Sequence, residues 1–208
     1  MGWSLNSVLV AGLPAEQVAA RLGYVIGGGR VHGDEATAGS RAQGPSIAPG
    51  PGGAVVVVDP LMELAALDGT GLSAGGVTVH QVLVEEHVSV SAASCWIDGA
   101  LRWSLVHQAE EDLFDLQVTG TPPAALDALR QAAEQQTRDG GVDAVFEVPV
   151  DLVAAETGFR HDVLPLEREP SFRPLVPGPA AAATPAPPPA PASAPPPAPP
   201  RRRWFRRN

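Results

Sequence analysis

Two groups of ionisable side chains are spaced so that they could perform acid–base chemistry. The first is the run 85–87, which ends in His87, and the second joins His107 to Glu110 and Glu111. In the hairpin register predicted below, His87 lies opposite Glu110, so imidazoles and carboxylates could meet at one end of a sheet. Carboxylates stabilise a protonated imidazole, and the mixed set could also bind a metal. The spacing lacks the short histidine motifs of zinc enzymes, so we favour charged residues solvated at strand ends.

The single cysteine, Cys95, is predicted to lie opposite Arg102 in the same hairpin. A guanidinium favours a thiolate, but a cysteine nucleophile also needs a base. No histidine falls on this face in the predicted register, so we interpret Cys95 as a small packed side chain. A lone cysteine also excludes an intramolecular disulfide, which is typical of a reducing, cytoplasmic setting.

Three weaker patterns carry no predicted chemistry. The glycine run 27–29 lacks the spacing and the following helix of a phosphate-binding loop. His32 lies in a glycine-rich stretch that offers no rigid support for a catalytic group. The pair His161-Asp162 is interpreted as a surface pair or as charges at a helix end. Lysine is absent from the chain, which excludes lysine-based catalysis, and no cofactor or metal is predicted.

The densest chemistry lies in the C-terminal tip, residues 201–208. Arginine binds phosphate and carboxylate groups bidentately, and tryptophan and phenylalanine stack on bases or lie among lipid headgroups. At roughly 1 kcal/mol per basic residue near an anionic surface, five arginines predict weak, reversible attachment. The alternative is a solvated basic end that only aids solubility. The residues predicted to bind a partner are Arg201, Arg202, Arg203, Trp204, Phe205, Arg206 and Arg207.

A proline- and alanine-rich segment precedes the tip. Residues 174–200 contain 13 prolines and 9 alanines, a composition that resists helix, sheet and core packing. In polyproline II form, at about 3.1 Å per residue, these 27 residues reach at most about 85 Å. We predict that residues 166–200 are a disordered tether.

Charge is divided between the two ends of this tether. The chain has a net charge of −9, and the tip contributes five positive charges, so the first 200 residues carry −14. An acidic body repels nucleic acid and anionic membranes, whereas the tip attracts them.

The strands and helices that must position these ionisable groups are predicted to form one globular α+β domain over residues 1–165. We expect a mixed or mostly antiparallel sheet with a few short helices. The pair Asp98-Gly99 predicts a two-residue hairpin turn, which places Trp96 opposite Leu101 and Ser94 opposite Trp103. One face of this hairpin then carries Trp96, Leu101, Trp103 and Leu105 as core.

Two further patterns concern organisation. Strand–proline–helix units recur in the same order, residues 8–22 matching 116–136 and residues 54–69 matching 142–158, which suggests an internal duplication. Residues 27–53 hold nine glycines and few apolar side chains, so we predict a flexible insertion there.

Together these features favour a non-enzymatic interaction or adaptor protein, an acidic body with a tethered tip that docks to a partner protein or an anionic surface. We expect a partner protein, with an anionic membrane or nucleic acid as alternatives for the tip. The N-terminus lacks a basic leader and no apolar run approaches about 20 residues, so we expect a cytoplasmic location, with peripheral membrane attachment as an alternative. Two other functions stay open: an enzyme with a site near His87, Glu110 and His107, and a small acidic inhibitor or immunity-type protein that mimics a polyanion.

Overall fold

The computed structural model describes residues 4–37, 44–163 and 172–178, and within them it confirms the α+β class with an antiparallel sheet. The strands are β1 (Ser4–Ala11), β2 (Tyr24–Ile26), β3 (Ser46–Pro49), β4 (Val55–Asp59), β5 (Thr78–Glu85), β6 (Val90–Ile97), β7 (Ala100–Gln108), β8 (Gln117–Gly120) and β9 (Arg173–Pro177). The helices are α1 (Ala15–Arg21), α2 (Gly33–Thr37), α3 (Gly69–Ser73), α4 (Ala125–Gly140) and α5 (Val148–Thr157). Short 3₁₀ turns cover Pro51–Gly53 and Val145–Glu147. The strand order across the sheet is β2-β9-β3-β4-β1-β5-β6-β7-β8.

The central strands are apolar on both faces because helices cover both faces of the sheet. One face, here called the α5 face, includes Leu9 and Leu105 and packs against α4 and α5. The opposite face, the α1 face, includes Val8 and Val57 and packs against α1 and α3. Strand β4 is a run of four valines with all five of its residues buried, as expected for a strand between two helical layers.

The predicted hairpin turn at Asp98-Gly99 is confirmed. Ile97 pairs with Ala100, and the two turn residues have φ values of 50° and 77°, the left-handed values that such a turn requires.

The predicted pairing of Trp96 with Leu101 is also confirmed, but farther from the turn the predicted register is wrong by one residue. A β-bulge lies between Cys95 and Trp96, so that Cys95 pairs with Trp103, Ser94 pairs with Ser104 and Arg102 has no partner on β6. Trp103 and Cys95 therefore share the α5 face, whereas Trp96 belongs to the α1 face. Leu101, predicted as core, is 47% exposed.

The glycine-rich stretch 27–53 was expected to lack regular structure, and its described residues correct this expectation. It contains α2 and β3, and β3 lies between β4 and β9 in the sheet. Ile47 and Ala48 of β3 are buried on opposite faces. Residues 38–43 of this stretch lie outside the described part of the chain.

The expected boundary at residue 165 is also corrected. Strand β9 lies within the segment predicted as a tether, yet it pairs with both β2 and β3. Phe172, just before it, is fully buried and forms a β-bridge with Val31. The folded body therefore includes residues 172–178. The remainder of the predicted tether, residues 179–200, lies outside the described residues.

The two predicted pairs of repeat units differ in outcome. In the first pair, β1 leads to α1 and β8 leads to α4, each through a glycine with positive φ, Gly12 and Gly120. In the second pair, β4 is a strand, but residues 142–148 form a 3₁₀ turn and the start of α5 instead of the predicted strand. In the unit 54–69 the repeat pattern predicts a helix after Pro60. Residues 61–67 form a series of turns instead, and α3 begins only at Gly69.

Candidate functional site

The residues predicted to bind a partner, 201–207, lie outside the described part of the chain. Their role stays a prediction from sequence.

The second predicted site, which joins His87, Glu110 and His107, is not assembled. The His107 side chain is fully buried on the α5 face. Its Nδ1 lies 2.5 Å from the carbonyl oxygen of Asp115, and its Nε2 lies 3.0 Å from a carboxylate oxygen of Asp143. Both ring nitrogens are thus occupied by acceptors, so neither is left to bind a substrate or a metal.

His87 and Glu110 lie instead in exposed turns at one end of the sheet. The backbone N–H of Ala109 donates to the carbonyl oxygen of Ser89 over 3.1 Å, which holds the turns 86–89 and 109–111 side by side. Within the described residues, no hydrogen bond or ion pair joins His87 to Glu110, and no set of three His, Cys, Asp or Glu side chains is placed to hold a metal. What these turns form is an acidic end, defined by the exposed side chains of Glu86, Glu110, Glu111 and Asp112.

The pair His161-Asp162 was interpreted as a surface pair or as charges at a helix end; it follows α5, and His161 is buried. Burial lowers its pKa, against the opposing charges of Asp162 and Glu86. The preceding residue, Arg160, forms ion pairs with Glu147, Asp151 and Asp162. This cluster fixes the chain after α5 against the start of that helix.

A cavity of about 400 Å³ lies on the α5 face, at the opposite end of the sheet from the acidic end. We call it the α5 cavity. Strands β5, β6 and β7 contribute its floor, the segment 121–123 forms one side, and the last turn of α5 contributes Glu156. The residues that give it chemical character are His80, Cys95, Arg102, Trp103, Thr121 and Glu156.

The bulge in β7 explains how a charged side chain reaches this cavity. In an unbroken strand, successive residues point to opposite faces, so Arg102 and Trp103 would be separated. The extra residue at the bulge re-aims Arg102, and both side chains line the α5 cavity. The carbonyl oxygen of Arg102 accepts a 2.9 Å hydrogen bond from the backbone N–H of Thr121, which ties the segment 121–123 to the bulge.

The thiol and the imidazole in this cavity are both held in their neutral forms. Burial raises the pKa of Cys95 to about 11, with a further increase from the Glu156 carboxylate and an opposing effect of Arg102. Burial lowers the pKa of His80, whose ring lies 6.1 Å from the Trp103 ring between centroids. A thiol with a raised pKa stays protonated near neutral pH and is a poor nucleophile, and the neutral ring of His80 packs beside Trp103.

A buried polar cluster lies on the α1 face. Gln81 donates to the side-chain oxygen of Asn6 over 2.9 Å, and Asp59 accepts a 2.6 Å hydrogen bond from the backbone N–H of Leu64. Asn6 and Asp59 are paired across β1 and β4, and both are fully buried. These contacts hold the turns that follow β4 against the sheet.

No family model matches the chain, and no curated protein or solved structure is significantly similar to it. None of the helices in the described ranges combines the length and the apolar character needed to cross a membrane. The function must therefore be argued from the chemistry of the chain itself.

The sequence pattern did not predict that His80 lies beside Cys95, although the strand pairing places it there. His80 pairs with Cys95 across β5 and β6, so a histidine does lie on the face of the cysteine. The alternation in β5 does not reveal this, because Val79 and Val82 are both buried but on opposite faces. The approach of Glu156 depends on how α5 crosses the sheet, for which the sequence carries no local signal.

Proposed function

We propose that this protein is a non-enzymatic interaction protein with two contact regions of opposite charge. The folded body contacts one partner, and the tip, residues 201–208, docks to a second partner protein through its arginines and its Trp204-Phe205 pair. The observation that carries the proposal is the charge division: 23 acidic residues against 9 arginines in the first 200 residues, then five arginines in the last eight. Such opposite potentials favour different partners.

The distribution of charge on the body supports this division. Glu110, Glu111 and Asp112 of the acidic end are exposed and take part in no ion pair among the described residues. Arg138 approaches this end, with its guanidinium 5.3 Å from the centroid of the Phe114 ring, but it is already paired with Glu134. Arg160 is likewise paired with carboxylates on three sides. The acidic end therefore presents a net negative potential to a partner.

The position of β9 also supports the proposal. This strand fixes the start of the proline-rich region inside the sheet, between β2 and β3, and the described segment ends at Gly178. The backbone N–H of Gly178 donates to the carbonyl oxygen of Gly23 over 2.8 Å, so the end of this segment is tied to the body. Residues 179–200 could span about 70 Å at about 3.1 Å per residue, enough for the tip and the body to contact separate objects.

Affinity capture with matched chains tests the proposal. The full chain and a chain that ends at residue 200 are used as baits in the same extract, and bound proteins are quantified by mass spectrometry. We expect one set of partners to be retained by both baits and a second set to be lost with the tip. Identical sets from the two baits would contradict the proposal.

Two variants separate the contributions within the tip. Replacing all five tip arginines with glutamine removes the charge, and replacing Trp204 and Phe205 with alanine removes the aromatic pair. Docking driven by charge weakens steeply between about 50 and about 300 mM salt, because screening lengths are near 10 Å at about 0.1 M. Docking into an aromatic pocket is lost in the alanine variant and depends little on salt.

A further inference from the structure

The α5 cavity holds two opposite charges that are not paired with each other. Within the described residues, neither Arg102 nor Glu156 takes part in an ion pair or a side-chain hydrogen bond. Both act on the same buried thiol, because Glu156 raises the pKa of Cys95 and Arg102 lowers it. A cation and an anion therefore face one cavity from different elements, the bulge of β7 and the end of α5.

The remaining wall of the cavity is apolar and aromatic. Trp103 is 3% exposed and supports the partly exposed ring of His80 from inside the fold, at an interplanar angle of 52°, so the surface open to a ligand comes from His80, Ile97, Pro122 and Pro123. Burial lowers the pKa of His80, so this ring adds aromatic surface without charge near neutral pH. Pro122 and Pro123 form the side opposite the strands.

The backbone beside the cavity brings the end of β8 close to the bulge of β7. Gly120 has a φ of +77°, and a Cβ placed on it would lie 2.1 Å from the carbonyl oxygen of Arg102. Only glycine allows β8 to approach the bulge this closely. Bulges of this kind commonly re-aim a side chain beside a binding site.

We propose that the α5 cavity binds a small zwitterion, a free α-amino acid with an aromatic or apolar side chain. Its carboxylate pairs with Arg102, its ammonium group pairs with Glu156, and its side chain lies against the partly exposed His80, Ile97 and Pro122. Guanidinium groups bind carboxylates bidentately, and a volume of about 400 Å³ falls in the usual range of ligand pockets. The site is independent of the tip, so it goes beyond the proposed function.

Titration of the full chain with three matched compounds tests this inference. The compounds are L-phenylalanine, N-acetyl-L-phenylalanine, which lacks the ammonium group, and L-phenylalaninamide, which lacks the carboxylate. We expect saturable binding of L-phenylalanine by calorimetry, and a loss of about tenfold or more for each of the other two, since charge-assisted hydrogen bonds are removed. The two blocked compounds also represent the two termini of a peptide, so preference for either one would overturn the assignment to a free amino acid.

Variants locate the binding in the cavity. Arg102→Gln is expected to abolish the preference for a free carboxylate, and Glu156→Gln the preference for a free ammonium group. Glu156 is exposed at the end of a helix, so this variant keeps the test valid if a change at the bulge disturbs folding. Arg130→Gln on the outer surface of α4 serves as a control with unchanged binding. Absence of saturable binding up to about 10 mM, or binding that neither cavity variant alters, would overturn the proposal.

Discussion

The surroundings of individual buried side chains define what each of them can do. His107 has an acceptor at each ring nitrogen, and Cys95 lies in a cavity where burial disfavours its ionised form. Both residue types are common in catalytic sites, and their types alone suggested chemistry. Their environments assign them to the interior of the fold instead.

Replacement of His107 is expected to destabilise the fold strongly. His107→Leu leaves the Asp143 carboxylate and the Asp115 carbonyl without their donor, at a cost of about 3 kcal/mol in the free energy of unfolding. The matched variant His87→Leu changes an exposed turn residue and is expected to stay within about 0.5 kcal/mol. Urea unfolding of both variants checks the difference. Equal losses in the free energy of unfolding would show that the contacts of His107 with Asp115 and Asp143 do not stabilise the fold.

The raised pKa of Cys95 predicts a loss of stability in alkaline solution. The thiol ionises near pH 9 in the unfolded chain but only at about 11 in the folded one, so the unfolded state loses its proton first. The free energy of unfolding therefore falls as pH rises from about 9 to about 11, by up to about 1.4 kcal/mol per pH unit.

A pH series of urea unfolding with Cys95→Ala as the control isolates this effect. Tyr24 has its own raised pKa, about 12, caused first by burial and then by its hydrogen bond to Glu63, and it contributes in both chains at higher pH. The variant is expected to show a shallower decline between about pH 9 and about pH 11. Parallel declines in the two chains would show that the thiol ionises normally.

At the scale of elements, the sequence predicted the α+β class and the Asp98-Gly99 turn because both depend on local patterns. It could not predict the bulge at Arg102, because the alternation of Leu101, Trp103 and Leu105 fits an unbroken strand and does not mark Arg102 as an extra residue. Strand β9 was missed for a different reason. Pro174 and Pro177 lack the backbone N–H that a strand residue donates to its neighbour, so the sequence of this segment predicted a tether. In the structure the segment pairs with two strands.

Truncation tests the assignment of β9 to the body. A chain that ends at Gly178 keeps every described element and is expected to melt within about 2 °C of the full chain. A chain that ends at residue 165 loses Phe172 and β9 and exposes β2 and β3. Loss of a fully buried phenylalanine alone costs about 3 kcal/mol, or about 10 °C for a chain of this size, so we expect a much lower or non-cooperative transition. Equal melting temperatures would place the boundary back at 165.

The contact between β8 and the bulge can be tested at Gly120. Gly120→Ala forces the backbone out of a left-handed conformation and away from the Arg102 carbonyl, so we expect a loss of at least about 2 kcal/mol. Gly28→Ala is the control, because a Cβ at that position meets no atom within 4 Å. Denaturant midpoints compare the two, and a neutral Gly120→Ala would contradict the described approach of β8.

In the whole molecule, negative charge is concentrated in the body and positive charge in the tip, and the proposed function depends on this division. The body is held together by a sheet that extends from β2 to β8 and is covered on both faces. Its net negative charge was predictable from composition, whereas the gathering of carboxylates at one end depends on which turns the pairing brings together. For His87 and Glu110, the favoured interpretation as charged residues solvated at strand ends agrees with their exposure, whereas His107 of the alternative site is turned into the interior.

The state of Trp204 in the full chain tests this division most directly. Labelling with fluorotryptophan gives separate ¹⁹F resonances for Trp3, Trp96, Trp103 and Trp204, and Trp204→Phe assigns the last one. We predict that the Trp204 resonance matches that of an isolated peptide of residues 179–208 in chemical shift, linewidth and response to solvent, because the proposed docking to a partner requires a tip that does not pack on the body. A Trp204 resonance that is shifted, broadened and protected from solvent in the monomer would show that the tip packs on its own body, and the account would be wrong.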